Sequence, residues 1–366
     1  MKNKPEMLEI EKHVNSFLAL RIFFSLSVVV SHASGSTRGW RELSIGEFSL
    51  GTLAVFGFFV ISGYLVTPGI FRSGVKRYSI NRLTRIYPAY LISIATTVLI
   101  FLPIWLSQAN LNISSFKLPT LFVLKNILLF PQSASSPNST WNSLGGIPIY
   151  GSHPGVVNGS VWTLPLEITC YAALAILILL VRIFRIQNFK PFIIFIVSLV
   201  WATSICISIA IPEIHVKHDS HLAQLLTKWP YFLPFAVGVL IRVVFKVKFL
   251  KVALLPLGFF SLICMKSVLL WAVCGSVIFS FFWILIGESQ MFNRFSNLRD
   301  ISYGIYLYHF PVLQVLVGYE FLYKRFSVLL LSTLILSGCL AYFSSRFIEI
   351  PAQLFVKKLF REKNFK

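Results

Sequence analysis

Ten stretches of this chain are each apolar over close to the roughly 20 residues that a helix needs to cross the hydrocarbon core of a bilayer. They lie near residues 17–33, 50–71, 86–106, 161–182, 191–211, 229–245, 249–265, 267–286, 301–320 and 327–348 of the 366. The composition has the same bias, since only 13% of residues are charged where a soluble domain carries roughly 25%. Thirty-five Phe and eight Trp leave no room for a disordered or collagen-like reading. The expected fold is all-α: a polytopic membrane protein of about ten transmembrane helices, forming one domain over residues 1–366, with a lipid bilayer as its main partner.

Orientation follows from the basic residues. With the N-terminus inside, 23 of the 33 Lys and Arg fall on the cytoplasmic side, among them Arg72, Lys76, Arg77, Arg82, Arg85, Arg182, Arg185, Arg242, Lys251, Arg294 and Arg299. Nine fall on the other side, including Arg38, Arg41, Lys324 and Arg325. That bias puts both termini in the cytoplasm. It also absorbs the net charge of +20 without nucleic acid, because the bases are scattered through short loops rather than gathered on one aromatic-interleaved face. The apolar run that ends in Ser31-His32-Ala33-Ser34-Gly35 is not read as a cleaved signal, since Glu6, Glu9 and Glu11 offset the early lysines and Arg21 interrupts the run.

The long polar stretch is about 107–160, an outward loop rich in Ser, Pro, Asn and Gly, whose 118–130 piece is apolar enough to lie along the membrane surface. Residues 349–366 form a short cytoplasmic tail, with Glu349-Ile350-Pro351 as a stop to the last span. The five cysteines (Cys170, Cys206, Cys264, Cys274 and Cys339) sit in apolar stretches without paired spacing. They read as small core hydrophobes, so neither redox chemistry nor a metal is expected.

Ionisable groups in hydrocarbon cost at least about 2.5 kcal/mol each, which makes every one a functional candidate. Arg21 and His32 are eleven residues apart. At 100° per residue they fall within about 20° of one face, separated by roughly 16 Å along the axis. The ordinary alternatives are a snorkelling Arg21 and an interfacial His32 with a plain hydrogen bond. Glu167 lies about six residues into the fourth span and needs a donor or cation, with His32 the candidate at that depth. Ser302, Tyr306 and His309 share one face of the ninth span by their i, i+4, i+7 spacing. Arg82 and Arg85, three apart just before the third span, suit a bidentate phosphate clamp as well as an anchor. Ser62-Gly63-Tyr64 permits close helix approach.

These fragments, in this order, resemble acyltransferase family 3, ten-span membrane enzymes that decorate bacterial surface polysaccharides and related acceptors. The resemblance covers essentially the whole chain. It rests on Arg21 and His32 at the family's Arg, ten residues, His spacing; on Phe58-Phe59 through Ser62-Gly63-Tyr64; on Arg82 and Arg85 with Tyr87-Pro88; on Trp162 to Glu167; and on Ser302-Tyr303-Gly304-Ile305-Tyr306-Leu307 followed by His309. Phe56 departs from it, standing where many members carry an acid. About 18 residues follow the tenth span, which fits the single-domain type.

What the resemblance implies is transfer of an acyl group, usually acetyl from acetyl-CoA, to a hydroxyl of a polysaccharide or lipid-linked glycan such as lipopolysaccharide O-antigen, in the bacterial cytoplasmic (inner) membrane. His32, with Arg21 and Glu167, would be catalytic. Arg82, Arg85, Ser62 and Tyr64 would bind the donor, and Trp162, Ser302, Tyr306 and His309 would support the acceptor side. His32 acting as general base and a covalent acyl-histidine are both open. Succinyl or another acyl group, another glycan or lipid acceptor, or a transporter or flippase built on the same buried charges are the alternatives.

Overall fold

The computed structural model describes residues 16–108, 123, 126–127, 156–186, 188–217, 229–245, 247, 251–295 and 298–362, with only the backbone at 211–217, 293 and 361–362. Most of the predicted outer loop, including nearly all of 118–130, lies outside the described residues. The described chain is almost wholly helical. Its elements are α1 (Phe17–Ser36), α2 (Leu50–Thr96) leading through a π turn into α3 (Leu102–Gln108), α4 (Thr163–Ile183), α5 (Phe189–Lys217), α6 (Phe232–Val244), α7 (Lys251–Cys264), α8 (Val268–Glu288), α9 (Ser302–Val317), α10 (Glu320–Tyr323), α11 (Phe326–Ser344) and α12 (Ile350–Glu362). The one ladder among the described residues is the two-residue hairpin β1 (Ser44–Ile45) and β2 (Phe48–Ser49), turned by Gly46 at φ +61°.

Six helical runs are long and apolar enough to cross a membrane; α6 and α7 are apolar but shorter. One of the six, Leu50–Gln108, holds 59 residues, which if straight would reach about 88 Å at 1.5 Å per residue, nearly three times the hydrocarbon thickness. It is not straight, because Gly74 (φ 76°, ψ 164°) breaks it among Arg72, Lys76 and Arg77. The arms on either side of the break line the same cavity, so the chain folds back there, and the two arms cover the second and third apolar stretches of the sequence. Large apolar side chains face outward, Leu255 at 84% and Leu99 at 74% exposure, as lipid contact requires.

The end of the chain differs from expectation. Pro351 does not stop the last helix: α11 passes through a π turn (Ser345–Glu349) into α12, with Pro351 in its first turn. The proline falls directly after the π turn, where the regular i→i−4 ladder of the continuous run is already interrupted, so it is accommodated there.

α2 and α6 cross at backbone contact. A Cβ placed on Gly63 would lie 2.2 Å from the Phe235 carbonyl oxygen, and one on Gly238 would lie 2.4 Å from the Val60 oxygen. Both faces of the crossing therefore need glycine. Gly63→Val is expected to lower the thermal midpoint in detergent by an amount equivalent to at least about 1–3 kcal/mol, the usual cost of overpacking. A midpoint equal to that of the unsubstituted chain would contradict the crossing.

Candidate active site

Four levels of polar side chains run along α1, α4 and α9. At the first, Asp300 receives Arg21 (3.2 Å) and Arg85 (2.6 Å), while the Ser302 N–H and hydroxyl donate to its other oxygen at 3.2 and 2.6 Å. Asp300 thereby caps α9 and neutralises one of the two arginines at once. Burial pushes its carboxyl up, but the charges of Arg21 and Arg85 and the bonds from Ser302 and Arg85 outweigh burial, holding it well below the usual carboxylate range.

At the second level Glu167 accepts a short hydrogen bond from the Tyr171 hydroxyl and a longer one from Ser62 Oγ at 3.4 Å. Arg82 lies over the Tyr171 ring, 5.9 Å from its centre. At the third, the Tyr306 hydroxyl donates to the Ser160 carbonyl at 2.9 Å and sits 2.7 Å from Thr163 Oγ1. At the fourth, His32 Nδ1 is 2.9 Å from His309 Nε2, the two rings stacked at 5.2 Å and 12°. The pairs Arg21–Asp300 and His32–His309 show that α1 and α9 run parallel in register. The one-stripe geometry of Arg21 and His32 is thus realised against a single neighbouring helix.

The second ring nitrogen of His309 fixes the proton positions of a neutral pair. His309 Nδ1 lies 3.1 Å from the Ile305 carbonyl oxygen, which can only accept, so Nδ1 carries the hydrogen and Nε2 the lone pair. His32 Nδ1 must then donate to His309, which leaves the His32 lone pair on Nε2. This assignment comes from the hydrogen-bond pattern. The end of α1 that carries His32 is anchored: Ser31 Oγ donates to Glu42 at 2.6 Å and receives the Gly51 N–H at 2.8 Å, and Ser34 Oγ receives the Leu43 N–H at 3.0 Å. On the His309 side, Asn158 donates to the Leu307 carbonyl and caps Ser160.

A cavity of about 110 Å³ joins the first three levels; Arg21, Arg82, Arg85, Glu167, Ser302 and Tyr306 are among its lining residues. It ends one helical turn below the histidines, where Tyr306 meets Thr163 and the edge of Phe58. Three guanidinium groups and one carboxylate line it, with Asp300 just behind. Arg21 Nε is buried there without a hydrogen-bond partner, and among the described residues Arg82 makes no ion pair.

Several expectations change. Glu167 does not orient His32: its hydrogen bonds go to Tyr171 and Ser62, and the His32 ring is held by His309. The reason is depth. Ser160 lies in the turn before α4 at the level of His309 (3.4 Å), and Glu167 stands four residues beyond the start of α4 at Thr163, about 6 Å further along that helix. Tyr64 does not face the cavity either; two positions on from Ser62 it points about 200° away, into a cluster where it donates to Glu288 (2.7 Å) and accepts from Arg242 (3.0 Å). Trp162 packs edge-on against Tyr231 at 5.0 Å. Arg85 is engaged by Asp300, whereas Arg82 makes no ion pair with a carboxylate among the described residues. Asp300 itself, with Tyr171, Asn158 and Ser160, was not singled out from sequence. The signal for Asp300 was there, as an acid two residues before a serine at a helix start.

Comparisons with known proteins find relatives along most of the chain. Nodulation protein 10 of Rhizobium leguminosarum bv. viciae is 26% identical over 336 residues, covering 84% of each chain. The O-acetyl transferase of Shigella phage Sf6 is 27% identical over 323 residues, covering 83% of this chain and 86% of that protein. No solved structure matches. The profile of the acyltransferase domain fits residues 14–350, a range that takes in all four levels from Arg21 to His309, and the chain belongs to that family, acyltransferase family 3.

Proposed function

We propose that this membrane acyltransferase moves an acetyl group from cytoplasmic acetyl-CoA to a hydroxyl of a cell-surface polysaccharide such as lipopolysaccharide O-antigen, working from ten spans in the bacterial cytoplasmic membrane with both termini inside. The observation that carries the reading is the bonded imidazole pair at one end of a polar lane whose other end holds three arginines. The name of the phage relative, an O-acetyl transferase, favours oxygen as the acceptor and acetyl as the group.

The residues fit such a donor in part. A cavity of about 110 Å³ is small beside the roughly 300–1,000 Å³ of pockets that enclose whole ligands. It therefore suits an extended thioester arm, with the nucleotide outside at the arginine-lined mouth. Arg82 and the unsatisfied Arg21 Nε are the groups placed to bind phosphate or amide oxygens. Tyr306, Thr163 and Phe58 must part for the thioester carbonyl to reach His32.

There the His32 Nε2 lone pair takes the proton of the acceptor hydroxyl as its oxygen bonds to the acyl carbon. The carbon–sulfur bond then breaks, and the departing thiolate recovers that proton from His32. His309 receives the Nδ1–H of His32 throughout and steadies the imidazolium, the part an aspartate plays in a catalytic triad. Glu167, with Tyr171 and Ser62, borders the arm's path and balances the guanidinium groups.

Two measurements test this. Coenzyme A is expected to raise the thermal midpoint of the purified protein, because a ligand of the native state stabilises it, and Arg82→Ala is expected to abolish the shift. Proton NMR of surface polysaccharide should show acetyl signals that disappear when the gene is deleted. Unchanged polysaccharide together with no coenzyme A shift would sink the reading in favour of a transporter.

A further inference from the structure

Cys264 ends α7 and Cys274 lies in the π turn near the start of α8, and their sulfurs are 3.4 Å apart. We propose that these two thiols are a disulfide-forming site on the outward end of the molecule.

Three observations carry it. The first is the contact itself. Of the five cysteines, this is the pair whose sulfurs meet; Cys170 is buried elsewhere, and Cys206 and Cys339 are exposed. A disulfide needs a sulfur separation of about 2.05 Å, and the two sulfurs already stand 3.4 Å apart. Residues 265–267 join the two helices in a tight turn, so the sulfurs stay neighbours without the bond.

The second is Gly275. A Cβ there would lie 2.7 Å from the Cys264 Cβ. Glycine lets the end of α7 press against α8 at the residue next to Cys274, a closeness that general hydrophobic packing does not require.

The third is location. The Glu47 N–H donates to the Met265 carbonyl at 2.9 Å, pinning the α7–α8 turn to the hairpin that follows α1. That is the His32 end of α1, opposite Arg21, Arg85 and Asp300. α7 begins at Lys251 and α8 leads towards Arg294 and Arg299, so the basic residues again mark the far end as cytoplasmic. The cysteine end faces the oxidising side, where disulfides persist.

Cys264 is buried and Cys274 partly open, so Cys274 is the thiol that reacts first. Its thiolate attacks a sulfur of a thiol–disulfide exchange protein, forming a mixed disulfide and releasing one thiol. The Cys264 thiolate then attacks the Cys274 sulfur and expels the second. Two electrons and two protons pass from the pair to the oxidant, which leaves as a dithiol.

The test uses the full chain in native membranes with Cys170, Cys206 and Cys339 changed to Ser. The sample is acid-quenched, blocked with N-ethylmaleimide, reduced with dithiothreitol and labelled with a polyethylene glycol maleimide. The expected result is two polyethylene glycol additions per chain after reduction and none without it, both lost in a further Cys264→Ser variant. Capture of both thiols by the first reagent overturns the proposal, as does a band at twice the chain mass on a non-reducing gel. If the triple variant fails to accumulate, mass spectrometry of the unsubstituted chain decides the matter. The Cys264 and Cys274 peptides are expected joined and two hydrogens lighter, and finding them separate and fully reduced in the native membrane overturns the assignment.

Discussion

His32→Ala is expected to lower acylation by about 10² to 10⁴-fold, the range that a positioned general base supplies, while the protein still accumulates in the membrane and melts near the midpoint of the unsubstituted chain. Among the contacts of His32 are the imidazole bond to His309 at 2.9 Å and an edge contact to Phe310. Its truncation removes little of the packing that holds α1, which depends on Ser31 and Ser34 at their links to Glu42, Leu43 and Gly51. His309→Ala should also reduce turnover, but less, because it leaves the reacting nitrogen present and only unfixes its tautomer and ring plane. Acylation by His32→Ala at the level of the unsubstituted chain, measured as acetyl per repeat on purified polysaccharide, would remove His32 from the mechanism.

Asp300→Ala is expected to produce the largest loss of stability of any single change in the lane. Asp300 sits between two guanidinium groups at 3.2 and 2.6 Å. Deleting it leaves like charges facing each other in a poorly solvated site, a change that typically costs about 3–5 kcal/mol when one partner of a buried pair is removed. Loss of the cap on Ser302 N–H adds about 1 kcal/mol. The pH dependence has a definite sign. The carboxyl is held below its unfolded value, so its contribution is complete above the ordinary aspartate range and drains away as the pH falls through and below that range. Asp300→Asn keeps the cap and loses the charge, so it should fall between the two and lose the acid-side dependence. A melting profile in which Asp300→Ala matches the unsubstituted chain at neutral pH would contradict the ion-pair assignment.

Much of this was legible in the residues because helical geometry is periodic. One hundred degrees per residue places Arg21 and His32 on one stripe, and the same arithmetic aligns Ser302, Tyr306 and His309; the structure sets the two stripes against each other. The apolar windows 50–71 and 86–106 are separated by length alone, and the structure places the break of the helix between them at Gly74. The failures have the same origin as the successes. Tyr64 was carried along with Ser62 as part of one motif, although two residues of helix turn a side chain to the opposite side. Glu167 was matched to His32 by counting depth from the membrane surface. That count did not include the turn at 158–162, which puts Ser160, rather than Glu167, beside the histidines. Asp300 does not figure among the candidates because its arginine partners lie 215 and 279 positions away in sequence. The cysteines were judged by spacing along the chain, and contact across an interhelical turn leaves no such spacing.

The fit of α1 against α9 has a mechanical consequence. These two rods are riveted at both ends, by a carboxylate at one and an imidazole at the other, so neither can slide by a single residue, about 1.5 Å, without undoing both rivets.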